Sequence, residues 1–187
     1  MVADASTIRD YSQSTGFPFY AYTTKGVVSI VRAWAEHTWP MTLQEAFTLR
    51  DQCRWIGDPQ DGTFFTTPVS SGETDGTIMA DTRDRNLVNS INARLTTWVP
   101  VELEAHVSTI TQSIYTDYRN ALTTVYGPPK EGRGKYGPYS DWILPSNTSI
   151  NLASVETFVE VTINSPTETH NAALAAYYES KYGPDIP

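Results

Sequence analysis

Cysteine is almost absent from this sequence. Cys53 is the only one in 187 residues, so no disulfide can close within the chain and no cysteine-based zinc site can form. Such sparing use fits a reducing compartment. Long apolar runs are missing too: none approaches the ~20 residues that span a bilayer. The opening residues MVADASTIRDYSQ have neither the basic nor the apolar segment of a signal peptide. A cytoplasmic protein with no membrane partner is the expectation. Positive charge is scarce, with 13 Lys and Arg against 21 Asp and Glu and a net charge of −8. Nucleic-acid binding needs a basic footprint and is disfavoured, whereas an acidic balance attracts basic partners. Catalytic signatures are also lacking. There is no G-x-S-x-G, Walker A, Rossmann or H-E-x-x-H pattern, and His37, His106 and His170 follow no metal-ligand spacing. No enzymatic activity, cofactor or metal is expected.

What is present is a globular composition, 40% hydrophobic and 12% aromatic, enough for one domain with a real core. Residues 100–127 organise it. Leu103, Val107, Ile110, Ile114, Tyr118, Ala121 or Leu122, and Val125 recur at steps of three and four and draw a single helical stripe. Pro100 suits the first turn, and Gly127 with Pro128 and Pro129 ends the helix. Residues 1–25 have no clear period and read as an extended arm that Phe17, Phe19 and Tyr20 can pin down. Helices follow over 26–37 and from Leu43 to about Cys53, the second opening on a Thr42/Glu45 capping box; together they suggest a helical hairpin. Residues 63–69 and 77–81 read as a β-hairpin and 86–97 as a third strand. After the long helix, a loop over 128–138 precedes strands at 140–144, 149–154 and 157–163. A last helix begins at Pro166, with Ala172, Ala173, Ala175, Ala176 and Tyr177 suited to close packing. The fold expected is α+β: an arm over 1–25, then a single domain over 26–187. In that domain an antiparallel sheet of about six strands packs on a long central helix, with an N-terminal helical hairpin and a C-terminal helix.

Two segments are candidates for binding. Ser70, Ser71, Gly72, Glu73, Thr74, Asp75 and Gly76 join two strands. Glycines leave the backbone uncovered there, and two carboxylates give it charge. It reads either as a solvated turn or as an anionic tip that enters a phosphate-binding cleft. In the second segment, Lys130, Arg133 and Lys135 face only Glu131. It is either a solvated connector or a clamp for phosphate or a carboxylate-rich partner. Cys53 lies beside Arg50 and Arg54, which would lower its pKa, or it is a small core residue. Glu102 and His106 are spaced as a ligand pair or as an exposed contact one turn apart. Trp34, Trp39, Trp55, Trp98 and Trp142 build either a packed core or a ligand pocket.

Three stretches carry a resemblance: Trp34 through Trp39-Pro40-Met41-Thr42, Val125-Tyr126-Gly127-Pro128-Pro129, and the run WILPSNTSINL from Trp142 to Leu152. Over about residues 27–163 the chain resembles actinobacterial proteins of the DUF6301 type. It is also similar to the immunity factor that neutralises the tuberculosis necrotizing toxin, an NAD glycohydrolase. The resemblance implies an antitoxin that forms a heterodimer with a cognate toxin domain and occludes its active site. It also implies an inserting finger loop, which carries over here to Gly72, Glu73, Asp75 and Gly76. A small-ligand-binding or enzymatic domain using a Trp-lined pocket is the alternative.

Overall fold

The computed structural model describes residues 7–183. The expected arm is not extended: from residue 7 to 22 it folds into a two-stranded ribbon, β1 (Ile8–Asp10) and β2 (Tyr20–Tyr22), around one helical turn, α1 (Ser12–Thr15). The Asp10 carboxylate starts that turn by accepting from the Ser12 amide at 2.8 Å. Phe19, Ala21 and Tyr22 are buried, so the ribbon is tied down by its aromatic content, as Phe19 suggests.

Helix α2 (Thr24–Ala35) buries Val27, Ile30, Val31 and Trp34 along one face. Helix α3 (Leu43–Gln52) opens on the anticipated capping box, with Thr42 and Glu45 satisfying each other's amides. The two do not form the expected hairpin. Residues 41–43 hydrogen-bond to residues 86–88, which draws α3 to the sheet. Helix α2 instead lies against the long helix α4 (Glu104–Tyr126), and α3 against the short strand β3 (Ile56–Gly57).

The remaining strands are β4 (Phe64–Thr66), β5 (Gly76–Ala80), β6 (Val88–Arg94), β7 (Lys130–Gly134), β8 (Gly137–Ile143), β9 (Ser149–Val155) and β10 (Phe158–Asn164). With β3 they make one antiparallel sheet of eight strands, not six, in the order β3-β4-β5-β6-β10-β9-β8-β7. The two strands not foreseen are its edges. Strand β7 lies in the segment read as a loop, because KEGRG has low strand propensity; charge and glycine are nevertheless what a protected edge carries. Residues paired across the sheet form rows. Ile78, Ile91, Ile163, Ile150 and Trp142 make one apolar row, and α2 and α4 pack on β9 and β10. On the other face Thr77, Asn92, Thr162, Asn151, Asp141 and Lys130 make a polar row.

A 3₁₀ turn, Val101–Leu103, precedes α4, which at 1.5 Å per residue is about 35 Å long. Its stripe buries Val107, Ile114, Tyr118 and Leu122, but Val125, in the last turn, is exposed. Gly127 ends it with φ +83°. Helix α5 (Pro166–Tyr182) starts as expected, with Ser165 capping and Pro166 in the first turn. Its alanines do not pack, and none of its residues is buried. It is held to the polar side of the sheet through contacts of Glu168 with Asn89 and Thr169 with Ser149. Helix propensity, high for alanine, sustains the rest. Pro184, expected to help end α5, lies outside the described residues.

Candidate partner-binding surface

The turn between β4 and β5 is smaller and stiffer than its composition suggests. Pro68 comes just after β4, and two tight turns follow in succession, closed by Ser70 N–H to Thr67 O and Glu73 N–H to Ser70 O. Ser71 (φ +53°) and Gly72 (φ +88°) both have positive φ, the pattern of a type I′ turn. Of residues 70–76, Ser71, Gly72, Glu73 and Thr74 are exposed. Ser70 and Gly76 are buried. Gly76 is glycine for a packing reason: a Cβ there would stand 2.0 Å from the Phe65 ring.

Asp75 does not present its charge to solvent. Its side chain is only 4% exposed and lies 3.2 Å from the Arg94 guanidinium. Its other oxygen accepts from the Ser70 hydroxyl at 2.5 Å. Ser70 in turn bonds the Thr67 amide at 2.8 Å, and Thr97 donates its hydroxyl to Val69 O at 2.8 Å. The exposed tip therefore stands on a base locked by Ser70, Asp75 and Arg94. Arg94, not singled out from sequence, is positioned by β6, with its guanidinium 4.7 Å from the Phe158 ring centroid and 5.8 Å from that of Trp98. The sequence signal for it is a charge in a strand otherwise uncharged.

Burial raises the Asp75 carboxyl above its ordinary value, outweighing the opposing pull of Ser70 and Arg94. Such a group holds its proton more tightly folded than unfolded. Its contribution to stability is complete below the unfolded pKa and is lost as pH rises through the folded one. In urea unfolding at stepped pH, the stability of the wild type relative to Asp75→Asn is expected to fall from about pH 4 upward. A difference that rises with pH over that range would contradict the burial argument.

The second candidate segment is the β7–β8 hairpin. Lys130, Arg133 and Lys135 are exposed. Lys135 lies 4.9 Å from the Tyr136 ring centroid, and Glu131 is engaged by Arg119 at 3.1 Å. Arg133 and Lys135 line a groove of about 490 Å³ beside α4 that also carries Glu104 and Glu156, so charge there is mixed.

The other sequence candidates settle elsewhere. Trp34, Trp55 and Phe65 stack in the core, at 5.7 and 4.8 Å between ring centroids. Trp142 is buried, and its indole donates to Gly127 O at 2.9 Å. Trp98 is 42% exposed. Burial pushes the Cys53 thiol up to about 11, so the neighbouring arginines do not activate it. Glu102 sits in the 3₁₀ turn rather than in α4, out of helical step with His106, whose ring meets the edge of Phe17 at 6.5 Å. Among the described residues no group of three or more His, Cys, Asp and Glu could hold a metal ion. No helix there is long and apolar enough to cross a membrane.

No curated protein and no solved structure matches the chain. The model of a family of unknown function, DUF6301, matches residues 25–165. The match covers the whole eight-stranded sheet with α3, α4 and nearly all of α2, but neither the β1–β2 ribbon nor α5. A match over that much of the chain makes this protein a member of the DUF6301 family.

Proposed function

We propose that this protein is an immunity protein. In this reading it performs no chemistry but fills the active site of a cognate secreted toxin domain, one that hydrolyses NAD, in a one-to-one complex. The observation that carries the reading is the exposed turn Ser71, Gly72, Glu73 and Thr74 standing on the hydrogen-bonded Ser70–Asp75–Arg94 base. A plug that is ordered before it binds loses little entropy on entering a cleft. Glu73 supplies a carboxylate at the tip, where a phosphate of NAD would otherwise lie. The net charge of −8 speeds encounter with a cationic cleft. The chemistry assigned to the partner, NAD hydrolysis, is taken from the sequence resemblance to the immunity factor of the necrotizing toxin.

Mixed with its cognate NAD-hydrolysing toxin domain, sought first among the products of neighbouring genes, the protein should co-elute with it in gel filtration as one equimolar peak; separate elution at micromolar concentration would reject the reading. Glu73→Ala should weaken the complex about tenfold, the effect of losing a central contact. The variant's stability should stay within about 0.5 kcal/mol of wild type, as usual for an exposed position.

A small-ligand role is the second reading. It is favoured by a groove of about 850 Å³ between α5 and the polar face of the sheet, where Asn151, Thr162 and Asn164 meet Trp142 and Ala176. That volume is in the range of ligand sites.

A further inference from the structure

Trp98, Val101 and Tyr136 are 42%, 59% and 53% exposed, and they converge. With Pro100, Val155 and Phe158 they line a groove of about 460 Å³ between the entrance to α4 and the β9–β10 turn. Single exposed apolar side chains need no explanation, but a contiguous group marks a contact surface. The groove is held open by backbone: the Glu156 amide donates to Tyr136 O at 3.2 Å, tying the β7–β8 turn to the β9–β10 turn. Its acidic lining is Glu102 and Glu156, both exposed. Neither is in an ion pair among the described residues. Among the described residues two cations lie against its aromatic rings: Arg94, over Trp98 and Phe158, is already committed to Asp75, and Lys135 lies 4.9 Å from the Tyr136 ring centroid. Arg94, which touches the Trp98 and Phe158 rings and pairs with Asp75, links the residues of the groove to the base of the Ser71–Thr74 turn.

We infer that this groove receives an arginine or lysine side chain from a protein partner. An apolar floor with two unpaired carboxylates at its edge complements such a side chain along its length. The methylene stem lies on Trp98 and Val101, and the charged head reaches Glu102 and Glu156. A small anion or an acidic peptide would meet like charge. The inference deepens the immunity reading by naming the chemistry of the partner, and it takes from that reading that the partner is a protein.

The test titrates isotope-labelled full-length protein with the peptide acetyl-Arg-Leu-Arg-amide, following the indole N–H resonance of Trp98, which Trp98→Phe identifies. Acetyl-Glu-Leu-Glu-amide is the control. A saturable shift with the cationic peptide alone is expected. Glu102→Gln with Glu156→Gln should weaken it about fivefold, the factor two rim ion pairs of ordinary strength provide. Both positions are exposed, so the variant should fold. Equal shifts with both peptides, no shift with the cationic one, or unchanged affinity in the double variant would each overturn the inference. This titration reads the groove alone and co-elution reads the complex, so the two proposals can fail separately.

Discussion

Trp55→Ala is expected to cost about 4 kcal/mol, within the range for truncating a buried tryptophan. The side chain is 2% exposed. Trp34 and Phe65 sandwich it at interplanar angles of 16° and 5°, and its indole donates to the Tyr22 hydroxyl at 3.1 Å. Truncation would open a cavity where β4, distant in sequence, meets α2 and the β1–β2 ribbon. It would also leave the Tyr22 hydroxyl without that donor and loosen Phe65, whose ring packs where Gly76 has no side chain. Urea unfolding followed by circular dichroism measures the effect. A loss under about 1.5 kcal/mol would mean that the site collapses around the deletion and that the stack does not hold these elements together.

Asp75→Ala is expected to cost about 2 kcal/mol and to disorder the Ser71–Thr74 turn. The substitution removes the acceptor of the Ser70 hydroxyl and the counter-charge of Arg94, whose side chain is 23% exposed. Leaving buried polar partners unsatisfied is the costly direction of such a change. Asp75→Asn retains an acceptor for Ser70 and removes a carboxylate that burial disfavours, so its cost should be smaller. Unfolding measurements on both variants, with amide hydrogen exchange at Gly72 and Glu73, check this. Equal stability of the alanine variant and the wild type would show that the pair does not organise the turn.

Much of the scaffold was legible in the sequence because its elements are strongly patterned. Val107, Ile114, Tyr118 and Leu122 recur at helical spacing. Val159, Val161 and Ile163 alternate with outward-facing Phe158, Glu160 and Thr162, and Thr42 with Glu45 announces α3. What escaped was decided by distant partners. KEGRG forms a strand only because Ser140 and its neighbours offer a ladder, and residues 41–43 follow the sheet because 86–88 bond to them. The alanines of α5 satisfy helix propensity yet find no surface to pack on. At the candidate site, position and exposure of the turn could be anticipated. Its internal economy could not, because Asp75 meets Arg94 across 19 residues, and no local pattern marks a carboxylate as turned inward. The convergence of Trp98 and Val101 with Tyr136 was equally invisible, since two segments far apart in sequence supply it.

The proposed immunity role is tested most directly by NAD hydrolysis by a candidate cognate toxin domain, measured while this protein is titrated in. It predicts that hydrolysis stops near an equimolar ratio and that the protein alone consumes no NAD. Hydrolysis continuing unchanged in the presence of excess protein, or NAD loss caused by the protein itself, would contradict it.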